Sequence, residues 1–137
     1  MISFHSETSF EFTNSAAVVA WLGTIISQEH YTEGEVLIVF CDDDFLHKLN
    51  IEFLNHDTLT DVISFDYSVG KEINGEIFIS VERVRENAKE FNQSFDAELA
   101  RVMAHGVLHY CGYKDKSKTE AITMRSKEEF YLQQRPD

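Results

Sequence analysis

The sequence predicts an α+β fold, a single mixed β-sheet covered by helices, with a metal-binding helix and a C-terminal helix. In the N-terminal part, alternating or continuous apolar stretches typical of strands are interspersed with amphipathic stretches typical of helices. In the C-terminal part, three amphipathic segments follow one another without a strand between them. This order of elements is typical of one sheet with helices packed on it.

The chain is predicted to form one domain spanning residues 1–137. That length suits a single hydrophobic core, and 43% hydrophobic with 26% charged residues is an ordinary globular composition. The only proline is Pro136, and no linker, repeat or low-complexity tract interrupts the chain.

A cytoplasmic protein without a membrane partner is expected. No apolar run approaches the ~20 residues that span a bilayer, and the N-terminus lacks the basic and apolar regions of a secretory signal. The two cysteines, Cys41 and Cys111, are predicted to be free buried thiols.

The formal charge of −12 argues against a general nucleic-acid coat, because phosphate neutralisation by basic residues drives such binding. It leaves room for a small local site, since charges more than about 10 Å away are largely screened at ordinary salt. DNA is not expected as a partner.

In the N-terminal half, strands and helices are predicted to alternate. MISFHSETSFEF alternates like half-buried strand, and SAAVVAWLGTIISQEH has a helical apolar face with Asn14 or Ser15 as cap. EVLIVFC reads as an interior strand. DDDFLHKLNIEFL is predicted to be a helix whose acidic residues lie at the favourable end of its dipole.

In the C-terminal half, a hairpin and three helices are predicted. TDVISFDYS and GEIFISVE form the hairpin, joined by VGKEIN, and VERVRENAKEF forms the first helix. FDAELARVMAHGVLHYC forms the second, capped by Ser94. SKTEAITMRSKEEFYLQQ forms the third and opens with a capping box of Ser117 and Glu120.

The second of these helices carries a candidate metal site. His105 and His109 are four residues apart, so both imidazoles lie on adjacent turns at the edge of the apolar stripe. Gly112 is placed to stop the helix, and the chain can then turn back to bring Asp115 towards the histidines. Two histidines and one aspartate, with a fourth position for water, are typical of one catalytic divalent ion, zinc being the leading candidate.

Other interpretations of these residues stay open. Two histidines at this spacing also occur by chance on surface helices. Cys111 lies on another side of the helix from His109, so a buried thiol is the better interpretation. Glu98 shares the face of His105 and is placed to orient it, although a solvated glutamate is the expected state.

The residue after the first histidine argues against a peptidase. Zinc peptidases with this spacing place a glutamate there as general base, and here that position is Gly106. Phosphodiester cleavage by a metal-activated water does not require that glutamate.

Three motifs resemble the YbeY endoribonucleases, also called rRNA maturation factors. HGVLHYCGYKD resembles the family's H-G-x-L-H-x-x-G-Y-D-H. LNIEFLNHDTLTDVISFDY is similar to L-N-x-x-[FY]-R-x-x-D-x-x-T-[DN]-V-L-S-F, and GEIFIS to G-D-I-x-I-S. Together they cover about half of the chain and stand in the family's order.

The resemblance implies a single-strand-specific, metal-dependent endoribonuclease acting in 16S rRNA 3′-end maturation and ribosome quality control. It implies His105, His109 and Asp115 as the metal ligands. Its partners would be single-stranded rRNA and ribosomal particles, with the RNA in a groove between the metal helix and the sheet. Asp61, Ser64 and Phe65 are expected to contribute to that groove.

The sequence departs from the family at two positions. A histidine is usual at the third ligand, where this chain has Asp115; an alignment with one inserted residue would put Lys116 there, but lysine is a poor ligand at neutral pH. The family's basic residue in the second motif is Leu54 here. The candidate substitutes are Lys114, Lys116 and Lys118, which are equally well explained as a solvated loop.

The general base is unassigned: His56, Asp57 and Asp61 are candidates, each also explained as a turn residue or cap. The alternative function is a non-catalytic ribosome-assembly factor, with a structural metal and an acidic surface that docks a basic ribosomal protein. The formal charge of −12 and Leu54 favour this assembly factor, and the open coordination position of the metal favours the endoribonuclease.

Overall fold

A computed structural model describes residues 1–55 and 60–136, and it confirms the predicted α+β class with one mixed sheet. The elements in chain order are β1 (Ile2–Ser6), α1 (Ser15–Gln28), β2 (Thr32–Cys41), α2 (Asp43–Leu54), β3 (Val62–Asp66), β4 (Glu72–Ser80), α3 (Val81–Glu90), α4 (Phe95–Tyr110) and α5 (Lys118–Leu132).

The four strands lie in the order β1-β2-β4-β3. β1 and β4 both pair in parallel with β2, which confirms the prediction that the apolar EVLIVFC stretch is an interior strand. β3 pairs antiparallel with β4, as the predicted hairpin requires. Because β4 already starts at Glu72, the connection is shorter than the predicted VGKEIN.

Residues alternate between the two faces of the sheet, and each face has its own apolar cluster. Ile77 and Ile79 of β4 belong to the main core, which α1, α4 and α5 share. Phe78, between them, packs in the smaller cluster with Cys41, Leu46 and Ile63, where α2 covers the other face. The helix that carries His105 and His109, α4, therefore packs on the larger core.

The N-terminal strand is shorter than its apolar alternation predicts. β1 ends at Ser6, and Phe10 and Phe12 lie in a non-strand segment whose rings pack against Phe40. Alternating apolar residues indicate only that one side of the segment is buried. Here the rings of Phe10 and Phe12 are buried by packing over the core, without a neighbouring strand. Asn14 stands at the start of α1 but makes no capping hydrogen bond with its side chain.

The predicted caps of α4 and α5 are confirmed. The Ser94 hydroxyl accepts from the Ala97 amide at the start of α4, and Ser117 and Glu120 form the reciprocal capping box of α5. Cys41 and Cys111 are free and buried, as predicted. Within residues 1–55 and 60–136, no helix is both long and apolar enough to cross a membrane.

Candidate metal centre

His105 and His109 lie one turn apart on α4 and point to the same place. Their Nε2 atoms are 3.0 Å apart, and the side chains are 16% and 29% exposed. The opposite stripe of α4, including Leu99, Met103 and Val107, is buried in the main core. The helix thus holds both imidazoles at the edge of the core, mostly buried but partly exposed to solvent, as its apolar periodicity predicts.

Asp115 reaches the two histidines because the chain turns sharply after α4. Gly112 has φ +96°, a conformation that side chains other than hydrogen disfavour, and the Tyr113 amide donates to the Leu108 carbonyl at 3.1 Å. The Asp115 Oδ2 atom then lies 3.3 Å from His105 Nε2 and 3.5 Å from His109 Nε2. The predicted return of the chain is confirmed.

The spacing of these three donor atoms fits one small divalent ion. Ligand atoms at about 2.0–2.1 Å from a tetrahedral zinc lie about 3.3–3.4 Å from each other. The three separations here are 3.0, 3.3 and 3.5 Å, and the donors form the metal-capable cluster found in the described residues. The donor set of two imidazoles and a carboxylate suits zinc and neighbouring divalent metals.

The outer nitrogens of both rings are hydrogen-bonded in a way that frees the inner ones for a cation. His109 Nδ1 lies 2.9 Å from the Tyr113 carbonyl, which can only accept, so this nitrogen carries a proton. His105 Nδ1 lies 2.7 Å from Glu128 Oε2 and donates to that carboxylate. Two Nε2 lone pairs and a carboxylate oxygen therefore converge, an arrangement that a cation stabilises.

A buried ionic network lies behind His105. Arg101 donates to Glu98 Oε1 and Oε2 at 3.0 and 2.5 Å and to Glu128 Oε1 at 3.2 Å. Both glutamates are only 2% exposed. The expectation of a solvated Glu98 is wrong: its carboxylate is buried on Arg101, and Glu128, not Glu98, contacts His105.

Opposing effects set the ionisation of this network. Burial raises the pKa of Glu128, but the hydrogen bond from His105 and the charge and hydrogen bond of Arg101 outweigh it, and the pKa lies below its ordinary value. Burial lowers the pKa of Arg101, but the bonds and charges of Glu98 and Glu128 raise it overall. Glu128 is thus a carboxylate that only accepts.

An open groove runs between α4 and β3 and ends at His105, His109 and Asp115. Its β3 side carries Asp61 and Ser64, two of the three residues expected there. Phe65 is on the opposite face of the sheet, where its ring packs edge-on against Phe53 and Phe78. Side chains alternate along a strand, so Ser64 and Phe65 cannot both face the groove.

Of the three candidate general bases, only Asp61 lies among the residues that the structure describes. The Asp61 carboxylate lines the groove and lies 3.7 Å from Arg101 Nη2. His56 and Asp57 lie outside the residues that the structure describes. Asp61 is therefore the candidate base that lines the same groove as His105 and His109.

The cation that lines the groove among the described residues is Arg101, not one of the expected lysines. Lys114 and Lys116 are exposed on the segment that carries Asp115, Lys118 is exposed at the start of α5, and Leu54 is exposed at the end of α2. Whether those lysines contact a phosphate stays a prediction.

Sequence reasoning missed Glu128 and Arg101. Glu128 falls between Met124 and Tyr131 on the buried stripe of α5, where a glutamate signals a buried partner. Arg101 lies four residues before His105 on the same helix face, and Glu98 lies three residues before Arg101. The spacing of Glu98, Arg101 and His105 on one helix could have indicated that they lie together. The sequence did not indicate that Glu128 of α5 is the residue that contacts them.

Comparison with known proteins gives consistent matches along almost the whole chain. A family model described as Endoribonuclease YbeY matches residues 2–135. Proteins named Endoribonuclease YbeY from Flavobacterium johnsoniae and Flavobacterium psychrophilum are 61% and 57% identical, covering 94% of this chain and 93% and 92% of theirs. The Porphyromonas gingivalis protein of that name is 40% identical over 93% of this chain and 85% of its own.

A solved structure has the same fold. The solution structure of TM1509 from Thermotoga maritima superposes with a TM-score of 0.67 at 29% identity, covering 97% of this chain and 87% of its own.

Proposed function

The chain belongs to the endoribonuclease YbeY family, and on that basis we propose that it is a metal-dependent endoribonuclease specific for single-stranded RNA. The observation that carries the metal dependence is the convergence of two Nε2 lone pairs and the Asp115 carboxylate within 3.5 Å. The proposed substrate is the 3′ end of 16S rRNA, and the proposed setting is rRNA maturation and ribosome quality control in the cytoplasm.

The proposed ligands are His105, His109 and Asp115, with zinc as the ion. When bound, the ion supplies Lewis acidity, which activates water or stabilises charge on a phosphodiester oxygen. The protein fixes the ligands through the hydrogen bonds at their outer nitrogens and leaves one side open to the groove. Gly106 lets α4 pack closely on β4, because a Cβ there would come within 2.9 Å of the Ile77 Cδ1 atom.

The groove residues suit an RNA backbone in different ways. Ser64 offers a hydroxyl that can donate to a phosphate oxygen, and Asp61 offers a carboxylate that can accept a proton from water. Arg101 brings positive charge to the same groove, although its guanidinium is already held by carboxylates. We assign no general base; Asp61 is the candidate that the groove geometry favours.

The test of this proposal is a metal analysis joined to a cleavage assay. Purified protein is expected to hold about one divalent ion per chain and to cut single-stranded RNA but not the duplex of the same sequence. His105→Ala is expected to lose both the ion, by elemental analysis, and cleavage. His5→Ala, at an exposed histidine of β1, serves as the matched control and is expected to keep both. Cleavage that survives loss of the ion would contradict the metal mechanism.

A second candidate function is a non-catalytic assembly factor with a structural metal. The charge of −12 and the uncharged Leu54 favour it, because an acidic surface suits a basic ribosomal protein better than RNA. For this candidate, chelation lowers the melting temperature strongly, and no RNA is cleaved with metal supplied. RNA cleavage that chelation abolishes and added zinc restores rules it out.

A further inference from the structure

The outer nitrogen of His105 is bonded to a carboxylate from a distant part of the chain. Glu128 lies on α5, 23 residues further on, and its Oε2 atom is 2.7 Å from His105 Nδ1. The Glu128 side chain is 3% exposed, so this carboxylate has left water for that contact. A buried charge is retained only where its partners compensate the loss of hydration.

Arg101 supplies most of the remaining compensation, beside Arg125 Nη1 at 3.9 Å from Glu128 Oε1, and fixes the carboxylate in one orientation. Its Nη1 atom donates to Glu128 Oε1 at 3.2 Å, while Oε2 faces His105. Glu98 in turn takes the other nitrogens of the guanidinium at 3.0 and 2.5 Å. Each oxygen of Glu128 therefore has its own partner, and the carboxylate cannot turn away from the histidine without losing one of them.

Stability alone is a weak reason for such a network. Buried ion pairs are often replaceable by apolar side chains of similar volume at no loss of stability. The contact with His105 is different, because it acts on a ring whose other nitrogen points at Asp115 and His109. A carboxylate at Nδ1 fixes the tautomer and the ring plane and makes Nε2 a better electron donor.

We infer that Glu128 is the positioning residue for the ligand His105, and that Arg101 and Glu98 hold Glu128 in place. This inference rests on the proposed metal site. It also makes the two histidines unequal, because His109 is oriented by the neutral carbonyl of Tyr113, and His105 by a charged carboxylate. His105 is thus the stronger ligand of the pair.

The variant that tests this role is Glu128→Gln, which keeps the size of the side chain and removes its charge. Zn²⁺ affinity is measured by competition with a fluorescent chelator, on protein first stripped of metal. We expect the affinity to fall about 10- to 100-fold. Glu129→Gln makes the same change at the exposed neighbouring position of α5 and is expected to stay within about twofold of the wild type. A Glu128→Gln protein that binds Zn²⁺ as tightly as this control overturns the inference.

Two further measurements separate positioning from a purely structural role. The melting temperature of the metal-free variants reports loss of packing, whereas the Zn²⁺ affinity of folded protein reports the ligand. The nitrogen chemical shifts of His105 in the zinc-loaded wild type need no variant: we expect zinc on Nε2 and a proton on Nδ1. Zinc on Nδ1, or an Nδ1 without its proton, overturns the inference even if Glu128→Gln fails to fold.

The wild type separates this inference from the proposed function. A wild-type protein that binds no divalent ion overturns both. A wild type that binds zinc and cleaves RNA, with Glu128→Gln equal to it in affinity, overturns the positioning role alone.

Discussion

At the scale of single residues, Asp115 gives the site a charge that a third imidazole would not supply. Its Oδ2 atom is within 3.5 Å of both histidine Nε2 atoms. Carboxylate oxygen is a harder ligand than imidazole, so in the proposed metal site it would shift preference from zinc towards ions such as manganese. Its negative charge would also make an ion held there a weaker acid.

Exchanging the third ligand tests this preference. Asp115→His is expected to raise the ratio of Zn²⁺ to Mn²⁺ affinity, because it replaces a hard oxygen by an imidazole nitrogen. Lys116→His adds the same side chain one residue later and is expected to leave the ratio unchanged. Metal titrations monitored by calorimetry give both values. If Lys116→His shifts the ratio and Asp115→His does not, the third ligand position is 116 and the alignment with one inserted residue applies.

At the scale of elements, α4 carries the site and is also tied to the sheet next to it. The Tyr110 hydroxyl, one residue after His109, lies 3.0 Å from the carbonyl oxygens of Phe65 and Glu76, which pair across β3 and β4. Gly75 makes room for it, since a Cβ there would come within 2.4 Å of the hydroxyl oxygen. This contact fixes the distance between α4 and the wall of the groove.

Removing that hydroxyl is expected to loosen the junction. Tyr110→Phe should lower the free energy of unfolding by about 1 kcal/mol, because buried carbonyl groups lose their donor. Tyr67→Phe is the matched control: Tyr67 also bonds a group of Glu76, but it is 57% exposed, so its loss is expected to be close to zero. Urea unfolding of the two variants gives the difference, and equal values would contradict a structural role for the Tyr110 contact.

At the scale of the whole molecule, Glu29 joins the end of α1 to α5 and to the segment after α4. Its carboxylate accepts from the Tyr113 hydroxyl at 2.7 Å, from Lys127 Nζ at 3.2 Å and from the Tyr131 hydroxyl. Burial raises the pKa of Glu29, but the bonds from Tyr131, Tyr113 and Lys127 outweigh it and lower the pKa below its ordinary value of 4.5.

This shift predicts a loss of stability in acid. The lowered pKa means that the unfolded chain binds the proton more readily, so the contribution of Glu29 is complete above pH 4.5 and is lost as pH falls through the native value. Glu29→Gln is expected to cost about 1 kcal/mol at neutral pH and to flatten the stability profile below pH 4.5. Glu90→Gln, at an exposed position of α3, is the control. Urea unfolding at several pH values measures the profile, and parallel curves for wild type and Glu29→Gln would contradict the assignment.

The charge of −12 also bears on RNA binding by the whole molecule. If only Lys114, Lys116 and Lys118 contact phosphates, raising salt from about 50 to 200 mM should weaken single-strand binding no more than about 20-fold. Proteins with 6–10 phosphate contacts lose about 10³–10⁵ over that range. RNA cleavage at subsaturating substrate and increasing salt measures the slope, and a steeper one would require further basic contacts.

The sequence predicted the site residues that lie close together in the chain and missed the one that comes from a distant helix. His105, His109 and the stop at Gly112 follow from helix periodicity and from one left-handed residue, so the sequence predicted their arrangement. Glu128 comes to His105 from another helix, through the packing of α4 on α5. No pattern within one helix predicts that Glu128 contacts His105.

By itself, the sequence determined the α+β class, the caps of α4 and α5, the interior strand and the turn that returns Asp115 to the histidines. These depend on interactions between residues close in the chain, where backbone geometry fixes the outcome. Only the tertiary structure decided that Glu98 is buried, that Phe65 turns away from the groove, and that Arg101 and Glu128 support His105. Those contacts depend on how elements pack against each other, which side-chain spacing along one element does not specify.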